Sequence, residues 1–204
     1  MNEHPILFSG EMVQAILEGR KTQTRRVIRT VPNDFVPNPH NPYDDGVWHF
    51  DHPDIMNAEQ DERVTIPIRC PYGVPGDLLW VREAWATPGN YDSIKPSELA
   101  ASHFTRDQIV YRATEQYGDV YYRWRPSIFM PRWASRITLE VVSVRVERVQ
   151  DISERDAYAE GIGLDPTLPH PLQWFKELWD SINAKRGYPW QSNPWVWVVE
   201  FRQT

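Results

Sequence analysis

Arg136-Ile137-Thr138-Leu139-Glu140-Val141-Val142-Ser143-Val144-Arg145-Val146-Glu147-Arg148-Val149 is the stretch on which the fold turns. Ile137, Leu139, Val141, Val144, Val146 and Val149 sit among polar residues at the period of a strand with one buried face. The alternation slips once, at Val141-Val142, which predicts a bulge or bend such as small barrels use to curve. Downstream, Ser153-Glu154-Arg155-Asp156 opens a helix with an N-cap and early acids, and Gly161 closes it. A longer amphipathic helix follows Pro171, with Leu172, Phe175, Leu178, Trp179 and Ile182 on one face. The apolar strand Trp195 to Phe201 ends the pattern. Upstream, Leu78 to Glu83 is a buried strand entered from the turn Pro75-Gly76-Asp77, and Val64 to Ile68 is a further strand. Nearest the N-terminus, Ile6-Leu7-Phe8 leads through Ser9 into a helix carrying Met12, Val13, Ile16 and Leu17 and stopped at Gly19.

Two stretches lack this regularity. Residues 31–62, rich in proline, read as an inserted loop. Residues 87–125 form a second excursion, with a short helix near Ser97 to His103 and strand-like pieces at Ile109-Val110-Tyr111 and Val120-Tyr121-Tyr122. Strands fall at both ends and helices between them, so a strict succession of parallel β-α-β units is not expected. The economical reading is one α+β, mainly β domain over 1–204: a small antiparallel β-barrel with three or four surrounding helices and two long loop insertions.

Composition narrows the function classes. Ten Trp, nine Tyr, seven Phe and eighteen Pro favour short strands joined by proline-marked loops. The single cysteine, Cys70, excludes an internal disulfide and any Cys-x-x-Cys metal or redox motif, and points to a reducing, cytoplasmic setting. No long apolar run occurs, so neither a signal peptide nor a membrane span is expected. Segment 31–62 holds eight acids and no Lys or Arg; set against the net charge of −6, that leaves +2 for the rest of the chain. Eighteen of the twenty-two basic residues are Arg, whose planar fork suits phosphate or a base edge, so a nucleotide-like ligand stays open.

The densest polar cluster is Gly19-Arg20-Lys21-Thr22-Gln23-Thr24-Arg25-Arg26, just after a helix stop. A threonine hydroxyl attacks an acyl carbon when a base withdraws its proton, and a lysine becomes that base once burial or nearby cations lower its pKa from ~10.4 toward ~7–8. Lys21 and Thr24, three apart, share a face only if the segment turns, so their cooperation requires a turn or bulge. A solvated basic turn is the plain alternative.

Phe8-Ser9-Gly10, the helix through Ile16-Leu17 and Gly19 to Arg25 resemble the N-terminal signature of the ASCH domain, a relative of the PUA RNA-binding fold. Gly76-Asp77-Leu78-Leu79-Trp80-Val81-Arg82-Glu83 is similar to that family's turn-and-strand segment. Met130 to Ile137 resembles a segment of its larger, phage-associated members, and Asp151 to Gly161 its later helix. The resemblance implies a PUA-like barrel with a cleft for RNA or a nucleotide. For the small members that are N4-acylcytidine amidohydrolases it implies a Lys, Thr and Glu site, which falls on Lys21, Thr24 and Glu160. Thr24 would attack the acyl carbon, Lys21 would move its proton to the leaving amine, and Glu160 would orient Lys21 or a water.

Substrate-binding candidates are Arg20 and Arg26 within the cluster, Glu83 for the cytosine edge, Trp85 and Trp133 for stacking, and Arg132 for phosphate. Arg123, Arg125, Arg132 and Arg136 make a second basic concentration. His49, Asp51, His52 and Asp54, with His40 upstream, are spaced to admit a divalent ion but lack hydrophobic support, so no metal and no cofactor is called for. Serine-hydrolase elbow, phosphate-loop and dinucleotide fingerprints do not occur. The expected partner is a nucleoside or modified-cytidine substrate, with RNA as a further option. The alternatives are an RNA-binding module without turnover and a ribonuclease using the same basic groups.

Overall fold

The computed structural model describes residues 1–42, 46–57, 62–99, 104–115, 122–163 and 170–204. Asp44, Asp45, Glu59, Asp61, the far end of the helix expected at Ser97 to His103, and Val120-Tyr121 lie outside them. The elements, in order, are β1 (Glu3–Leu7), α1 (Gly10–Leu17), β2 (Gln23–Val27), β3 (Val36–Pro37), β4 (Trp48–Asn57), β5 (Glu62–Ile68), β6 (Leu78–Arg82) and β7 (Trp85–Ala86). There follow α2 (Pro96–Leu99), β8 (Val110–Tyr111), β9 (Thr138–Arg148), α3 (Glu154–Ala159), α4 (Pro171–Asn183) and β10 (Trp195–Gln203). The chain is thus α+β with mainly strand content, and no helix among the described residues is long and apolar enough to cross a membrane.

The main sheet runs β1-β6-β9-β10-β2. Its β1–β6 pairing is parallel and the other three are antiparallel. The slip read at Val141-Val142 is a bulge: Glu200 faces Ser143 and Phe201 faces Val141, leaving Val142 as the extra residue, 48% exposed. Beyond it the buried face continues through Val144 and Val146.

β10 is apolar almost throughout because both of its faces are covered. Trp197 and Val199 belong to a core shared with α1, β4 and β6, whereas Val196 and Val198 pack with Phe175 and Trp179 of α4 and Ala157 of α3. A satellite cluster gathers Trp85, Leu99, Phe104, Ile109, Met130 and Ala134.

Two expectations are corrected. The hydrogen-bonded sheets do not close into a barrel: β1 and β2 remain the edges of the main sheet. Between those edges Arg26 Nη2, on β2, donates to the Leu7 carbonyl, on β1, at 2.6 Å. Segment 31–62 is not a structureless loop either, since β3, β4 and β5 form an antiparallel three-stranded sheet. Its apolar alternates Trp48 and Phe50 dock on β10, with ring centroids 5.4 Å from Trp197 and 5.9 Å from Trp195. In the second excursion, Val110–Tyr111 pairs with β7 as a short strand, while Tyr122 is not in one.

Candidate active site

Ser9 starts α1 by accepting from the Met12 amide, and Gly19, at φ +73°, ends it. The amides of Arg20 and Lys21 then both donate to the Ala15 carbonyl, so the chain wraps the helix end before entering β2. On the other side Ser153 caps α3 through the Asp156 amide at 3.1 Å, and Glu160 is the residue that closes this helix. Gly161, at φ +106°, lets the two segments touch: a Cβ there would lie 2.9 Å from Ala15 Cβ and 3.1 Å from Lys21 Cβ. Thr22 N donates to the Ala159 carbonyl at 2.8 Å, and Lys21 and Glu160 form an isolated antiparallel bridge.

The bridge carries an ion pair. Lys21 Nζ lies 2.7 Å from Glu160 Oε2, with side chains 0% and 3% exposed. The same nitrogen donates to the carbonyls of Glu160 at 2.8 Å and Gln23 at 2.9 Å. Three acceptors match the three protons of an ammonium. Burial works against that charge, and with help from Arg26 and Arg25 it outweighs Glu160 and holds Lys21 below the usual lysine pKa.

Glu160 is itself clamped, its Oε1 lying 3.3 Å from Arg25 Nη1. The other end of this fully buried guanidinium reaches Glu147 at 3.0 Å and Asp156 at 3.2 Å. Arg145 extends the network to Glu147, Asp156 and Glu200. At Asp156 burial opposes ionisation, but hydrogen bonds from Gln23 and Ser153 and the charges of Arg25 and Arg145 prevail, so its pKa is lowered.

A cavity of about 780 Å³ lies beside this network, lined from one side by Leu7 to Ser9 and from the other by Thr24 to Thr30, where the main sheet stays open. Thr24, Arg25 and Glu160 reach its wall, with Phe8, Phe175 and Leu178 among the apolar residues. The Thr24 hydroxyl forms no hydrogen bond with any described residue, although Thr24 is 2% exposed. Lys21 sits behind the wall, its Nζ 5.7 Å from the Phe8 ring centroid.

The other candidates divide. Arg26 lines the cavity, whereas Arg20 pairs with Glu18 at 2.6 Å outside it. Glu83 is buried and holds Arg136 at 2.9 and 3.0 Å, and burial pushes its carboxyl pKa up despite that arginine. Trp85 is fully buried, with Trp133 packed edge-on at 6.3 Å, so Trp85 offers no stacking face. Arg132 binds Glu3 at 2.7 Å on the surface. These four residues do not line the cavity. Asp51 accepts from Asn38 at 2.9 Å and Thr65 at 2.8 Å, and no group of three potential metal ligands gathers among the described residues. Cys70 is buried and its thiol is pushed up to about 12, away from nucleophilic use.

Arg25 as the clamp on Glu160, and Arg145 and Glu147 behind it, escaped the sequence reading. The signal was the polar alternation of β9, which places Arg145 and Glu147 on the face toward α3. Comparison with family models, with curated proteins and with solved structures finds no match to this chain.

Proposed function

We propose that the protein is an amidohydrolase acting on the N4-acyl amide of cytidine or a close relative, with Lys21, Thr24 and Glu160 as its working groups. The reading rests on the resemblance to ASCH-domain amidohydrolases. The observation that carries it is the 2.7 Å contact between Lys21 and Glu160, from stretches 139 residues apart, behind a cavity wall that includes Thr24. In this reading Lys21, as the neutral amine, donates to two of its three acceptors, and its lone pair takes the Thr24 proton as the hydroxyl attacks the acyl carbon. The carbon–nitrogen bond of the amide breaks as the proton passes to the leaving exocyclic amine, and water then clears the acyl-threonine. Glu160, held by Arg25, keeps the Lys21 nitrogen oriented. The same reading retains the PUA-like relationship as an opened form of that barrel.

A second reading, an RNA-nucleotide binder without turnover, draws on the saturated Lys21 ammonium, which is how a purely structural lysine is satisfied. One assay separates the two. Purified protein incubated with N4-acetylcytidine should convert the ultraviolet spectrum to that of cytidine, and Thr24→Ala should lose ~100-fold or more of the rate while keeping the wild-type circular dichroism spectrum. Absence of turnover at high enzyme concentration would transfer the proposal to the binder; full activity in Thr24→Ala would remove the covalent step.

A further inference from the structure

Arg20, Arg25, Arg132, Arg136, Arg145 and Arg202 each contact at least one carboxylate at 3.3 Å or less. The cavity also holds arginines without such a partner. Among the described residues lining it are five arginines and one carboxylate, Glu160, which Lys21 and Arg25 already engage. Arg29 and Arg186 form no ion pair with any described residue. Arg26 donates to the Leu7 carbonyl and lies 5.2 Å over the Phe8 ring, but its Nε is buried without an acceptor. Burial, with a smaller repulsion from Arg186, keeps the Arg26 guanidinium below its ordinary pKa against the opposing influence of Tyr72 and Glu160.

Like charges converging on a partly enclosed space repel one another until an anion enters, and a guanidinium fork matches the oxygens of a phosphate two at a time. The volume of about 780 Å³ is that of a small-molecule pocket and can hold one nucleotide, whereas a duplex needs an open groove. Phe8, Tyr72 and Phe175 are among the aromatic residues of its wall.

We infer that the cavity is a nucleotide site in which Arg26, Arg29 and Arg186 receive a phosphate monoester, so that the preferred substrate is the 5′-phosphate of the modified cytidine and not the free nucleoside. The base identity rests on the proposed amidohydrolase reading; the phosphate subsite rests on the arginines alone.

The test uses the full chain and calorimetric titration with cytidine, cytidine 5′-monophosphate and a short cytidine-containing oligoribonucleotide, with N4-acetylcytidine and its 5′-monophosphate as kinetic substrates. Expected is about tenfold or greater tighter binding of the monophosphate than of cytidine, an advantage that shrinks with added salt and is largely lost in Arg186→Ala and in Arg29→Ala. Both side chains are exposed, so these variants should remain folded. Equal affinity for cytidine and its monophosphate, no measurable binding of the monophosphate, or binding of the oligoribonucleotide alone would each overturn the subsite. If the acetylated monophosphate binds more tightly than the nucleoside but is not hydrolysed, the amidohydrolase reading falls and the subsite stands. If both are hydrolysed with equal kcat/KM and bind equally, the reverse holds.

Discussion

Lys21 shows how a residue's neighbours decide its chemistry. Burial opposes its charge, Glu160 favours it, and the balance leaves a lysine that gives up its proton more readily than one in water. If the neutral amine is the working form, the rate rises with pH to a plateau whose midpoint lies below the free-lysine value of ~10.4. Glu160→Gln removes the influence that raises the Lys21 pKa, so in this variant the rising limb should move to lower pH while the plateau falls for want of orientation. Measured pH–rate profiles of the two proteins check this, and a limb displaced upward would mean that another group titrates. Lys21 and Thr24 were legible in the sequence as a candidate base and a candidate nucleophile three residues apart. Arg25 was visible only as one more cation, because its three carboxylates come from β9 and α3.

At the scale of elements, the site depends on two helix ends meeting. α1 and α3 were both legible from their caps, Ser9 with Gly19 and Ser153 with Gly161, because capping is local chemistry. Their contact was not, although it explains why a glycine stands at 161. Gly161→Ala places a side chain at φ +106° and against Ala15 and Lys21, and should destabilise by more than ~1 kcal/mol. It should also lower hydrolysis, since relief of the clash moves the Lys21–Glu160 bridge. Thermal unfolding and turnover measured beside Gly89→Ala, whose added Cβ meets nothing within 4 Å, provide the control. Loss of stability with unchanged turnover would separate this contact from the function.

For the whole molecule, β10 is the organiser: one face supports α3 and α4, the other the sheet of β3, β4 and β5. The second sheet therefore belongs to the main core. Phe50, 0% exposed against Trp195, should cost ~3–5 kcal/mol when changed to Ala, read as a shift of the urea midpoint at constant m. A loss below ~1 kcal/mol would return this region to the status of a dispensable flap. The alternation of Trp48 and Phe50 was present in the sequence, but the prolines and acids around it masked the signal, and what made these residues core was a partner strand some 150 positions away. By itself the sequence determined what nearest neighbours control: the caps and glycine stops, the Val142 bulge, the two-sided apolar run of β10, and the residue types able to perform acyl chemistry. Only the tertiary structure decided that the main sheet stays open, that Glu83, Trp85 and Arg132 are spent on packing and ion pairs, and that Arg26, Arg29 and Arg186 line one cavity. Burial and charge pairing are properties of residues brought together from distant parts of the chain, and no local pattern encodes which will meet.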